Sequence, residues 1–288
     1  EYRSNMKTLM ILLAFLADAS AWSTPRAFPN NRKTVSKPSA TALKMSIAVF
    51  GATGATGGEV AYQAMKNGES VTCLVRDKSR LVVPTCSGGD SAGSPLEGVA
   101  NVVVGTVTSQ EDVNKVFEGN DVTGVVVALG GKTKDVGETM LQDGTACIIN
   151  ACKQYGVKRI SVVTSIGAGD SEKQAPFFFK VLMMTVMKGI FTDKNAQEAL
   201  FLSAGGIGSD LEFCIVRPGG LTLEPPNGII NVIDGEAGSI SRGDVAQFCL
   251  DALTEANFPY IGKSPCISSS AGTSWVKDRT AATQGMRA

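Results

Sequence analysis

Three glycines spaced three apart open the chemistry of this chain. Gly51, Gly54 and Gly57 lie in "VFGATGATGGEV" (Val49–Val60), directly after the apolar run "SIAVFG" and before "GGEVAYQAMKNG". A glycine at the first position permits a tight turn. One at the second lets a pyrophosphate approach the backbone, and one at the third lets helix and strand pack closely. The backbone from Gly51 to Gly57, with Thr53, Ala55 and Thr56 between the glycines, is therefore expected to face an anion at a helix N-terminus. The next run, "SVTCLVR", ends in Arg76, and Arg80 follows four residues later. Two guanidinium groups there suit a ribose 2′-phosphate, so the expected cofactor is NADP(H). Asp77, which would favour NAD, lies one residue beyond the strand end.

The chain has no histidine among its 288 residues. That removes a Ser-His-Asp triad, an imidazole base and any His-ligated metal. Formal charge is zero, which gives no nucleic-acid footprint. The seven cysteines form no CxxC pair and read as mostly buried thiols of a reducing compartment.

Elements that could position these residues follow in order. Strands are expected at 46–51, 70–76, 101–107, 122–131, 158–169 and 212–220, and helices at 57–68, 109–119, 138–156 and 241–254. Ser109 and Asp112 form a capping-box-like start for the second helix. Near-continuous apolar strands alternating with helices predict an α/β fold. The expected architecture is a Rossmann doubly wound parallel sheet, a single domain (46–267) with a small substrate-side lobe. The Gly/Ser/Pro stretch 84–98 is expected to be a mobile surface loop.

The ends differ from this domain. Residues 1–45 hold seven basic and two acidic residues, whereas 46–288 hold 20 and 25. Met6-Lys7 precedes an apolar run at Thr8–Ala17, and Ala19-Ser20-Ala21 forms an A-x-A cleavage site. The run is too short for a membrane span. Trp22–Lys44 is basic and rich in Ser, Thr and Pro. Together the two parts resemble the bipartite plastid presequences of diatoms and related algae, implying a plastid protein. Residues 268–288 are expected to be a disordered tail.

"FGATGATGG", "LVRDKSRL", "VVTSIGAGDS" and "CIVRPGGL" together resemble the atypical short-chain dehydrogenase/reductases. The likeness is to the NAD(P)H-binding, NmrA-like branch that includes flavin reductase/biliverdin-IX-beta reductase. The resemblance implies 2′-phosphate contacts from Arg76 and Arg80. It places Ala128, Leu129 and Gly130 along the cofactor, and the strand ends at Thr164 and Pro218 beside the nicotinamide. It puts a hydroxyl at Ser165 near the reacting ring, and Lys194 of "DKNAQE" near the ribose. Lys194 and Glu198 are also i,i+4, the spacing of an ordinary surface pair.

Three positions depart from that pattern. Gly105-Thr106 replaces the usual Gly-Asp, Gly219-Gly220 stands where related members carry His, and the Tyr-x-x-x-Lys dyad is absent. Two functions fit. One is hydride transfer to a planar apolar substrate (flavin, quinone or tetrapyrrole-like), with Ser165 and Lys194 as catalytic candidates. The other is a non-catalytic NADP(H)-binding redox sensor or assembly factor. "APFFFKVLMMTVMKGIF" (175–191) would supply an apolar pocket or rest on a membrane surface.

Overall fold

Short Val/Ile runs pair into an eight-stranded sheet. The computed structural model describes residues 44–130, 138–175, 177–185, 187–233 and 238–269. Its strands are β1 (Ser46–Phe50), β2 (Ser70–Val75), β3 (Asn101–Val104), β4 (Gly124–Val127), β5 (Arg159–Val163), β6 (Glu212–Pro218), β7 (Gly220–Thr222), β8 (Asn231–Val232), β9 (Ser239–Ser241) and β10 (Cys266–Ser268). The sheet order is β3-β2-β1-β4-β5-β6-β10-β8, and β7 with β9 forms a separate two-stranded ribbon. Every pairing in the large sheet is parallel except β10 with β8. The order reverses between β1 and β4, which opens a crevice at the carboxyl ends of those strands.

The helices are α1 (Ala55–Lys66), α2 (Gln110–Phe117), α3 (Met140–Tyr155), α4 (Phe177–Met184), α5 (Lys188–Leu202) and α6 (Arg242–Thr254). Alternation along β1 shows both sheet faces covered. Ile47 and Val49 join one buried cluster with residues of α1 and α6, while Ala48 and Phe50 join another with α2, α3 and α5. That two-faced burial bears out the doubly wound expectation. Ser109 accepts from the Asp112 amide at 3.3 Å, the cap read from sequence.

The stretch 84–98 differs from expectation: it is anchored rather than mobile. Glu59 is fully buried on α1, and its carboxylate accepts from the amides of Cys86 (2.7 Å) and Ser87 (3.2 Å). Val83 and Leu96 are buried, and backbone bonds Val83–Ser94 and Leu96–Leu81 close the segment. A buried carboxylate needs donors, and this loop supplies them. Ser268 and Ser269, assigned to the tail, are buried, and both hydroxyls donate to the Ser239 carbonyl. The described elements all fall in the unit Leu43–Ala288. The presequence expectation and the tail beyond 269 lie outside the described residues.

Candidate functional site

The turn after β1 is built from backbone constraints. Gly51 has φ +93°, a region that L side chains rarely adopt, and a Cβ there would collide with the Ala128 carbonyl. A Cβ on Gly57 would collide with the Gly51 carbonyl. The turn thus packs against both the end of β4 and the first turn of α1. Gly54 is the N-cap of α1, and no side chain caps the helix. Its leading N–H groups have no helical acceptor, and its first turn holds no acidic residue. Gly54 and Ala55 are exposed, and Thr53 and Thr56 are half-buried. This open ring of donors, with a helix dipole behind it, fits a pyrophosphate.

Arg76 directly follows β2 and is exposed, as is Arg80. Among the described residues neither guanidinium has a hydrogen bond or ion pair. Asp77 is occupied otherwise. It caps the 3₁₀ turn Lys78–Arg80 and accepts from Ser79 Oγ (2.7 Å) and Ser79 N (2.9 Å). Those bonds hold its carboxyl below the usual carboxylate range. The two arginines are left to meet a ligand.

Across the crevice, the Ala128 amide donates to the Phe50 carbonyl at 2.8 Å. Leu129 is buried, and Gly130 is exposed. Gly131, which ends the expected strand 122–131, lies outside the described residues. Thr106 N donates to Asp112 Oδ2 at 3.1 Å, so a carboxylate from α2 reaches the loop where the family's Asp is missing.

The ends of β5 and β6 carry a buried charged network. The Ile166 amide donates to the Pro218 carbonyl at 3.0 Å, extending the ladder past both strands. Thr164 is buried and donates to Glu198 Oε1 at 2.6 Å. Arg217 grips the same carboxylate through Nε (3.1 Å) and Nη2 (2.6 Å), and its Nη1 meets Asp170 at 2.6 Å. Burial alone would lower the Arg217 pKa, but the Glu198 bonds and charge outweigh it and raise the pKa further. Glu198 is therefore not half of a surface pair with Lys194. Ser165 is half-buried, and its hydroxyl donates to the Ile166 carbonyl at 3.0 Å.

On α5, residues next to Lys194 are committed to neighbouring elements. Asp193 accepts from the amides of Leu141 (2.8 Å) and Gln142 (2.9 Å), capping α3 from outside its own chain segment. Asn195 accepts from Gly169 N at 2.8 Å. Lys194 itself is half-buried and has no hydrogen-bond or ion-pair partner among the described residues. Desolvation lowers its pKa to about 8, against the pull of Glu198 and Asp193. Arg217, Asp170 and Asp193 escaped sequence reasoning. The one local signal was an arginine inside the apolar strand "CIVRP", which demands a buried partner.

The glycine turn sits at the point where the strand order reverses, so the class is a Rossmann-fold dinucleotide-binding protein. The chain belongs to the NAD(P)H-binding family, whose match covers residues 51–256. It is similar to a chloroplastic Arabidopsis thaliana protein, 29% identical over 72% of this chain and 71% of that one. It is also similar to an uncharacterized sugar epimerase of Bacillus subtilis, 27% identical over 74% of this chain and 90% of the other.

Among solved structures, an oxidoreductase from Lactococcus lactis superposes with TM-score 0.61 at 19% identity, over 84% of this chain and 97% of the other. A short-chain dehydrogenase/reductase from Veillonella parvula in complex with NADP gives 0.60 at 16%, over 80% and 96%. An anaerobillin reductase from Escherichia coli gives 0.58 at 20%, over 79% and 98%. These likenesses are of fold, and with the family match they bear out the expected resemblance at the level of an NAD(P)H-binding Rossmann fold.

Proposed function

We propose that this chain is a plastid NADPH-dependent reductase of a planar, apolar acceptor: a flavin, a quinone or a tetrapyrrole-like ring. The observation that carries the reading is the set of cations with no hydrogen bond or ion pair among the described residues, Arg76 and Arg80 after β2 and Lys194 on α5. NADPH, when bound, supplies the hydride. The chain's own residues do the rest. The Gly51–Gly57 turn and the leading N–H groups of α1 hold the pyrophosphate. Arg76 and Arg80 pair with the 2′-phosphate. Glu198 fixes Thr164 and Arg217, and through them the ends of β5 and β6. Ser165 keeps lone pairs free to accept, and its hydroxyl can rotate toward a substrate oxygen. Lys194 holds a ribose hydroxyl, and with a pKa near 8 its ammonium can release a proton close to neutrality. The inward side of 175–191, with Phe179, Met183 and Phe191, gives apolar cover on the strand-end side. The plastid location draws on the basic, Ser/Thr/Pro-rich residues 22–44 and on the chloroplastic relative.

One observation favours the second reading, a non-catalytic NADP(H) sensor or assembly factor. Both hydroxyls at the end of β5 already donate internally, Thr164 to Glu198 and Ser165 to a backbone carbonyl. Titration with NADPH and NADH, followed by NADPH oxidation with FMN, quinones and biliverdin, separates the two. Turnover with one of these acceptors is the expected result. Tight NADPH binding with no turnover on any of them would select the sensor.

A further inference from the structure

Helix α4 (Phe177–Met184) buries one apolar side and exposes another. Met183 is 7% exposed and packs with Ala168, Ala175 and Phe191. Phe177, Val181 and Met184 are 73%, 49% and 70% exposed. Their spacing, i, i+4 and i+7, lines them along one face of the helix. Isolated exposed apolar residues are ordinary, but a helical stripe of three large ones is not.

The charge around this stripe has one sign. From Lys173 to Thr192 the chain carries Lys173, Lys180 and Lys188 and no acidic residue. Lys173 and Lys188 are exposed, and the half-buried Lys180 donates to the Lys173 carbonyl at 3.3 Å. The nearest preceding acids are Glu172 and Asp170, and Asp170 is paired with Arg217. On α5, Asp193 is buried beneath the N-terminus of α3. An apolar stripe bordered by Lys173, Lys180 and Lys188, with the exposed acids Asp170 and Glu172 only at its preceding end, complements an anionic lipid interface. An eight-residue helix is about 12 Å long, against a hydrocarbon core of about 30 Å, so it can lie in that interface but not cross it.

The exposure extends beyond α4. Leu221, Leu223 and Ile229, in and after β7, are 37%, 55% and 40% exposed. That segment leaves the carboxyl end of β6, as the α4 segment leaves the carboxyl end of the adjacent β5. Both exposed apolar segments thus belong to the sheet edge that also carries the candidate site.

We infer that the outward face of α4 seats this protein on an anionic lipid surface, with Val181 and Met184 entering the headgroup–acyl boundary and Lys180 and Lys188 facing the headgroups. The inference stands whether or not the chain turns over a substrate. Leu43–Ala288 is a compact unit holding every described element, so it is the piece to test. It is centrifuged with vesicles of phosphatidylcholine alone or mixed with phosphatidylglycerol. It should sediment with the mixed vesicles, less so as salt rises, and stay in solution with phosphatidylcholine alone. Val181→Ser/Met184→Ser should lower the partition about tenfold, and Lys180→Glu/Lys188→Glu should remove the dependence on phosphatidylglycerol. Unchanged thermal midpoints report intact folds. Three results would overturn the inference: no sedimentation with either vesicle, equal sedimentation with both, or variants that sediment like the parent. A vesicle-free dimer that Val181→Ser/Met184→Ser converts to monomer would assign the face to a second copy instead.

Discussion

The two sides of the crevice treat charge in opposite ways. At the β1–α1–β2 side, Arg76 and Arg80 are exposed and form no ion pair or hydrogen bond among the described residues, and no side chain caps the first N–H groups of α1. At the β5–β6 side, Glu198, Arg217, Asp170 and Asp193 are engaged by one another or by backbone amides. The internally engaged set holds the fold, and removing either member of its buried pair, Glu198 or Arg217, leaves the other charge without its bidentate partner. The unengaged set contributes little to folding and is free for an anion. Lys194 belongs to the second kind although it stands among the first.

The largest effect should come from the engaged set. Arg217→Met leaves the Glu198 carboxylate, 2% exposed, without its bidentate partner. Stripping one member of a buried pair costs about 3–5 kcal/mol. Urea denaturation should show that loss as a lower midpoint. A loss below about 1 kcal/mol would mean that the pair contributes no more than a surface bridge.

The opposite pattern is expected for Arg76→Ala and Arg80→Ala. Neither guanidinium has a partner among the described residues, so thermal midpoints without cofactor should not move. Charge-assisted bonds to a phosphate are worth about 1.5–3 kcal/mol, so NADPH affinity should fall roughly 10- to 100-fold for each. NADH affinity, read by the same titration, should stay close to that of the parent. Equal losses for both nucleotides would place the arginines on the pyrophosphate, and the contrast between the two sides would then not report on the ribose.

Legibility in the sequence follows the same division. The glycine turn could be read because its demands are local. Gly51 needs its own positive φ, and Gly57 needs room against a carbonyl six residues back. The exposed arginines could be read because nothing distant competes for them. The engaged charges could not. Arg217 and Glu198 are 19 residues apart, and Asp193 caps a helix that begins more than fifty residues earlier. Adjacent residues Asp193, Lys194 and Asn195 serve three different neighbourhoods, and no periodicity encodes that. The ribbon of β7 and β9 was missed because three-residue strands carry no readable alternation. Segment 175–191 announced itself as apolar, but only the packing of Met183 and Phe191 shows which side faces in.

Lys194 gives the smallest effect and the finest test of the contrast. Its ammonium loses its proton near pH 8 in the folded chain and near the ordinary lysine value of 10.5 when unfolded. Below pH 8 both states are charged, and the folded state bears the full desolvation penalty. Between pH 8 and 10.5 the unfolded state binds more protons, so this group makes stability rise with pH. The rise should be on the order of 1 kcal/mol, since water still reaches the half-buried ammonium and screens it. Burial of the Cys73, Cys152 and Cys249 thiols raises their pKa values to about 12, which pulls stability down above pH 9. The observable is therefore the difference between the parent and Lys194→Met, measured by urea denaturation across that range. The parent should gain on the variant as pH rises from 8 to 10.5. If NADPH supplies the missing partner, saturating cofactor should raise the Lys194 pKa and flatten the difference. A difference that is flat without cofactor would show that Lys194 is already paired, and the site would lose the unengaged cation on its β5–β6 side.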